Sequence, residues 1–233
     1  YLPSIRRNAD VRGLASGTLR VSVGAPGGVN DAVLTVSKLR MTVKRPEGPF
    51  GEPPETAVVR NVGPIVVHYS GTCADMDRLI PTGRERLYRE RCVAVKRMVL
   101  TNTKRLHRLA VYGVTSSEDT SLRARGRLEL LPAGILLGER VQHLRGVVGV
   151  DVRVTGPPTK PRILGTIYPA SIFVRTAGLE GDLIVRGGLI RVSNEALDLR
   201  ALRIVLADDE AELNGTVHLE DLTPKRLALT LRG

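Results

Sequence analysis

Aromatic side chains are almost missing: the 233 residues include no Trp, 2 Phe and 5 Tyr. A core built from this chain must therefore be aliphatic, and it can be built, since 42% of the residues are hydrophobic. The same scarcity removes the stacking platforms on which single-stranded nucleic acids are usually held. No run of about 18 apolar residues exists, so no transmembrane helix is expected, and no signal peptide is recognisable. Cysteine is limited to Cys73 and Cys92. That pair is compatible with one disulfide in an oxidising compartment or with two buried thiols. His68 and His107 are the nearest imidazoles, but the spacing matches no closed zinc pattern, and no metal site is expected. Acidic residues are outnumbered, 24 against 35 Lys and Arg, giving a formal charge of +11. Such a balance suits an anionic partner. Without a helical reader or aromatic interleaving, nucleic acid is not the expected one.

What is present is alternation of period two, rich in Val, Leu, Ile and Thr. Leu19, Val21 and Val23 alternate with Thr18, Arg20 and Ser22, and Leu39, Met41 and Val43 with Lys38, Arg40, Thr42 and Lys44. Val150, Val152 and Val154 alternate with Asp151, Arg153 and Thr155. Further short strands are read at Leu189 to Val192 (with Ile190 and Val192), Leu197 to Leu199, and Leu202 to Leu206 with Ile204. Leu213, Val217 and Leu219 sit opposite Glu212, Asn214, Thr216 and His218; Leu227, Leu229 and Leu231 close the series. Each strand presents one apolar and one polar face, as in an antiparallel-rich sheet with one dry side. Punctuation comes from Pro26-Gly27-Gly28, Pro53-Pro54, Gly156-Pro157-Pro158, Gly187-Gly188 and Asp208-Asp209. One short helix is expected near residues 82–91, with Thr82 and Glu85 as a capping box. It lies between the cysteines. A disulfide there would close a loop of about 20 residues, for roughly 3 kcal/mol in the chain-entropy model.

A weak internal repeat divides the chain. Residues 11–24, VRGLASGTLRVSVG, resemble residues 144–156, LRGVVGVDVRVTG; both continue through a Pro-containing turn into an aliphatic strand. Gly126 and Gly215 each open an alternating run later in the halves. Two β units are therefore expected, 1–135 and 136–233, the first lengthened by an insertion at about 70–91. The break is placed near 131–143, at Pro132-Ala133-Gly134. Stacked repeats of this kind build an open sheet.

Sequence motifs for catalysis are lacking: there is no nucleophile elbow, Walker A loop or His-Glu-x-x-His helix. The four histidines, His68, His107, His143 and His218, are scattered. Asp208, Asp209 and Glu210 read as a polar turn in preference to a cation site. No catalytic residue, metal or cofactor is expected, and the chain is read as a non-enzyme.

The order of weak motifs resembles the TamB family, within the AsmA-like group. It runs through Leu144-Arg145-Gly146, Asp151 to Gly156, Pro161-Arg162-Ile163-Leu164-Gly165, the stretch 187–206, Leu213 to Leu219, and Leu222-Thr223-Pro224. Asn61-Val62-Gly63-Pro64-Ile65 looks like a further TamB segment, whereas Cys73 to Arg91 departs from the pattern. The resemblance implies a long curved half-pipe with an apolar groove (a β-taco) in the periplasm of a two-membrane bacterium. The chain would be one part of a longer protein anchored in the inner membrane. Implied partners are phospholipid acyl chains, a TamA/BamA-like outer-membrane barrel protein and nascent outer-membrane proteins. The implied role is phospholipid transport between membranes, outer-membrane protein assembly, or both. The groove candidates are the aliphatics Leu19, Val21, Val23, Leu39, Met41, Val43, Val152, Val154, Ile190, Val192, Leu197, Leu199, Leu202, Ile204, Leu213, Val217, Leu219, Leu227 and Leu229. The alternative is a protein-binding scaffold that captures clients or a barrel partner by strand addition, without lipid conduction.

Overall fold

The computed structural model describes residues 10–23, 29–45, 54–71, 91–102, 107–132, 143–175, 181–206, 209–220 and 223–233. They form one antiparallel sheet of fourteen strands: β1 (Asp10–Val23), β2 (Val29–Arg45), β3 (Glu55–Asn61), β4 (Ile65–Ser70), β5 (Cys92–Thr101), β6 (Arg108–Ser116), β7 (Thr120–Glu129), β8 (His143–Gly156), β9 (Arg162–Arg175), β10 (Leu183–Arg186), β11 (Leu189–Ser193), β12 (Ala196–Leu206), β13 (Asp209–Glu220) and β14 (Thr223–Arg232). The all-β expectation holds. The helix expected near 82–91 and Cys73 lie outside the described residues.

The sheet is a meander in which every rung pairs with its sequence neighbour. Two rungs are broken: β3 and β4 share one, between β2 and β5, and β10 and β11 share another, between β9 and β12. Counted along the sheet, these are the third and ninth rungs. The ladder from β7 to β8 runs without a shift from Thr120↔Gly156 to Glu129↔Val147, so the sheet is continuous across the two halves. Residues 133–142, in the expected break, lie outside the described residues. Where two short strands were expected at 197–199 and 202–206, one strand, β12, runs through. The bulge at Arg200–Ala201 that interrupts its alternation leaves Ala201 at a φ of 49°.

Asparagines stitch the irregular places. At the break between β3 and β4, Leu39 N donates to Asn61 Oδ1 at 2.8 Å, while Asn61 Nδ2 donates to the carbonyls of Ser37 (3.1 Å) and Gly63 (2.7 Å). The carboxamide thus supplies the ladder bonds that a bulged strand loses. Asn194 acts alike beside β9, accepting from Ile163 N and donating to Pro161 O at 2.7 Å. Asn214 Oδ1 receives Ala201 N at the β12 bulge.

Several glycines permit close strand approach, Gly113 and Gly215 among them. Gly113 in β6 has φ 142° and Gly215 in β13 has φ 139°; a Cβ on either would come within 2.1 Å of the carbonyl oxygen of Ser121 or Ala228. Both sit two rungs past a broken rung.

No second layer stacks on the sheet among the described residues. The accessible surface is 15370 Å² for a 25.3 kDa chain, whereas a compact monomer of that mass exposes roughly 10,000 Å². Burial is confined to small clusters such as Val43 and Ala57, with Met41 and Leu131 packed on them.

An apolar face set against a charged face

Side chains alternate along a strand and directly paired residues share a face, so register alone assigns every strand residue to a side. Val43 pairs with Val11 and with Ala57; Leu39 and Met41 follow on β2, and Leu19, Val21 and Val23 on β1. The side passes through β4 to β8, where Leu122↔Val154, Ala124↔Val152 and Leu128↔Val148 continue it. It reaches Ile190 and Val192 through Ile167 and Gly165, then Leu199, Leu197, Leu202 and Ile204. Finally it takes in Leu213, Val217 and Leu219, and Leu229 and Leu227 of β14. All of the aliphatic candidates named from the sequence fall on this one side. Further members of this side, outside that candidate set, include Ile65, Val67, Val95, Leu100, Leu109, Val111, Ile163 and Ile172. In β5 the bulge between Val95 and Met98 shifts the alternation, so that Val95 and Leu100 share a side although five residues apart.

Charge goes to the other side. Among strand residues in ladder pairs whose side chains are described, only Glu55 and Asp209 carry charge on the apolar face. The opposite face holds Lys38, Arg40, Arg60, Arg123, Arg125, Asp151, Arg153, Arg186, Arg203 and Glu212, among others. Its best-built pair is Arg123 with Asp151: Nε donates to Oδ1 at 2.9 Å and Nη2 to Oδ2 at 2.7 Å. The hydrogen bond from Arg123, with Arg125 and Arg153 nearby, holds the Asp151 carboxyl below its usual range against partial burial. The same hydrogen bond raises Arg123.

The two faces differ in shelter in the second half. There the buried aliphatics, Val148 and Leu202, belong to the apolar side, while the exposed Leu164, Tyr168 and Phe173 belong to the charged side. In the first half both sides have buried residues, since Cys92, Ala94 and Val114 cluster on the charged side with Tyr112. Towards the ends the apolar side opens. Leu19, Val21 and Val23 on β1 and Leu227, Leu229 and Leu231 on β14 are all exposed.

Glu55, one of the two exceptions to the segregation, is 7% exposed. It accepts from Arg145 Nε at 2.9 Å and from Arg145 Nη2, with His143 Nδ1 3.5 Å away. Glu55 lies on β3 beyond its ladder with β5, and Arg145 on β8 beyond its ladder with β7. The ion pair thus ties the third rung to the seventh across the shorter strands between them. Leu131, packed on Val43 and Ala57, covers the apolar face nearby. No sequence signal marked Glu55, because its partner is 90 residues away.

The remaining candidates are dispersed. Cys92 is 1% exposed and disulfide-bonded. His68 Nε2 is 2.5 Å from Asp31 Oδ1 on the charged face. His107 precedes β6 and His218 sits on the charged face of β13. Asp209 and Glu210 open β13, and Asp208 lies outside the described residues. Among the described residues no three His, Cys, Asp or Glu side chains converge to hold a metal ion.

No family model, curated protein or solved structure matches this chain. The surface must be interpreted on its own chemistry: a broad aliphatic face without directed polar groups binds apolar matter by area and imposes little orientation.

Proposed function

We propose that the chain is a non-catalytic lipid-handling segment whose apolar face accommodates phospholipid acyl chains. The observation that carries this reading is the segregation of nearly all strand charge to the opposite face of an open sheet. A soluble single-layer sheet has no reason to leave one side aliphatic unless that side is covered or occupied. Acyl chains suit it, because each buried square ångström of apolar area contributes about 25 cal/mol and no polar partner is needed. Curled as a half-pipe, the face would form the groove that the TamB resemblance implies. On this reading the protein works in the periplasm of a two-membrane bacterium, as part of a longer inner-membrane-anchored chain. It would pass phospholipid between membranes, with a TamA/BamA-like barrel as partner, or assist outer-membrane protein assembly.

One observation favours the scaffold reading. β1 and β14 each have one side with no ladder partner among the described residues, and exposed edges accept added strands. Native mass spectrometry of the purified chain separates the two. Phospholipid adducts that Val152→Asp removes support the lipid surface. A chain that carries no lipid yet binds an extended client peptide supports the scaffold.

A further inference from the structure

The charged face contains a cleft of about 730 Å³ at the turn between β8 and β9, lined by Arg123, Arg153, Lys160 and Arg162 and by the hydroxyl residues Ser121 and Thr155. Register explains how the cations meet: Arg123 and Arg153 are directly paired across β7 and β8, and Thr155 pairs with Arg162 across β8 and β9. Like charges directly opposite one another disfavour a ladder. Only one of the two arginines is neutralised, since Arg123 turns to Asp151 in a two-bond ion pair. Arg153, Lys160 and Arg162 are exposed, and none has a carboxylate within salt-bridge distance among the described residues. Two carboxylates also line the cleft. Asp119 is engaged, its Oδ1 accepting from Thr120 N and Gly156 N at 3.0 Å each. Asp119 and Glu195 thus set two carboxylates against three cations that lack a salt-bridge partner, which leaves the cleft a positive excess.

We infer that this cleft binds a phosphate group, carried either on a lipid headgroup or as free phosphate. Two guanidiniums on adjacent rungs present planar forks to tetrahedral oxygens, Lys160 adds a point charge from the turn, and the hydroxyls of Ser121 and Thr155 can donate to the remaining oxygens. A bound phosphate group supplies the counter-charge that Arg153 and Arg162 lack, while Arg123 keeps its pair with Asp151. The inference rests on the cleft alone and not on the apolar face, so it stands or falls apart from lipid accommodation.

The test is isothermal titration calorimetry of the full chain with inorganic phosphate, with circular dichroism to verify folding of each variant. Saturable binding at one site is expected. Arg153→Gln with Arg162→Gln should weaken it by about tenfold or more, whereas Arg153→Lys with Arg162→Lys should keep much of it and Arg203→Gln should leave it unchanged. Vesicles of phosphatidylglycerol identify the source: displacement of phosphate assigns a headgroup, and phosphate binding without displacement assigns free phosphate. Absence of saturable phosphate binding, or equal binding by the folded double Gln variant, overturns the inference.

Discussion

Truncating Leu202 to alanine reads directly whether the apolar face is sheltered. Leu202 is 3% exposed and pairs with Leu213 just past the β12 bulge. It also lies over Gly188, where an added Cβ would come within 2.6 Å of its Cδ2. Leucine-to-alanine changes at closed sites cost about 2–5 kcal/mol, depending on how far the surroundings collapse. A single-layer sheet can relax more than a two-layer core, so about 3 kcal/mol is expected, or a fall in Tm of about 10 °C for a chain of this size. Leu227, on the same face but at the edge, is 63% exposed. Only the covered third or so of its side chain loses contact, so Leu227→Ala should cost under about 1 kcal/mol. Urea unfolding followed by far-UV circular dichroism measures both, the chain having no Trp to report by fluorescence. Equal losses in the two variants would refute the claim that the face is sheltered at β12 and open at β14. The burial of Leu202 also sets which substitution probes lipid uptake: Leu202→Glu would bury a charge and unfold the sheet locally, whereas Val152→Asp alters a half-buried position.

Gly113→Ala and Gly215→Ala should each destabilise by more than about 2 kcal/mol, since both place a Cβ against a neighbouring carbonyl at a positive φ; thermal denaturation checks this. Asp151→Asn should cost about 1 kcal/mol at neutral pH, the magnitude of a partly exposed two-bond ion pair. Because the Asp151 carboxyl lies below its ordinary value of 3.8, the pair's contribution is fully present above that pH. It is lost as pH falls through the lowered folded value, so the wild-type advantage over Asp151→Asn should shrink in acid unfolding titrations. Cys92→Ser should lower stability by up to about 3 kcal/mol, as expected for opening a loop of about 20 residues, and denaturation with and without reductant should show the same loss in the wild type.

The sheet and its faces were legible from the sequence because each strand needs only its own alternation to reveal which residues share a side. Val152 and Val154, or Leu227 and Leu229, required no knowledge of their neighbours. Features built from two distant strands were not legible. The Glu55–Arg145 tie, the Arg123–Arg153 juxtaposition and the cleft depend on register, and register is carried by ladder partners and bulges. Bulges also misled locally: the shift at Arg200–Ala201 made one strand read as two, and the shift after Val95 concealed Leu100. Asn61 was noticed as part of a motif, but its work in closing the broken rung depends on where the β2 bulge falls.

Cross-face photocrosslinking tests the account most directly. Val217 and Thr216 are chain neighbours on β13 that register assigns to the apolar and the charged face. A photoreactive side chain at position 217 should capture phospholipid in cells, and the same group at 216 should not. Equal capture at both positions, or none at 217 in a folded protein, would contradict a lipid-accommodating apolar face.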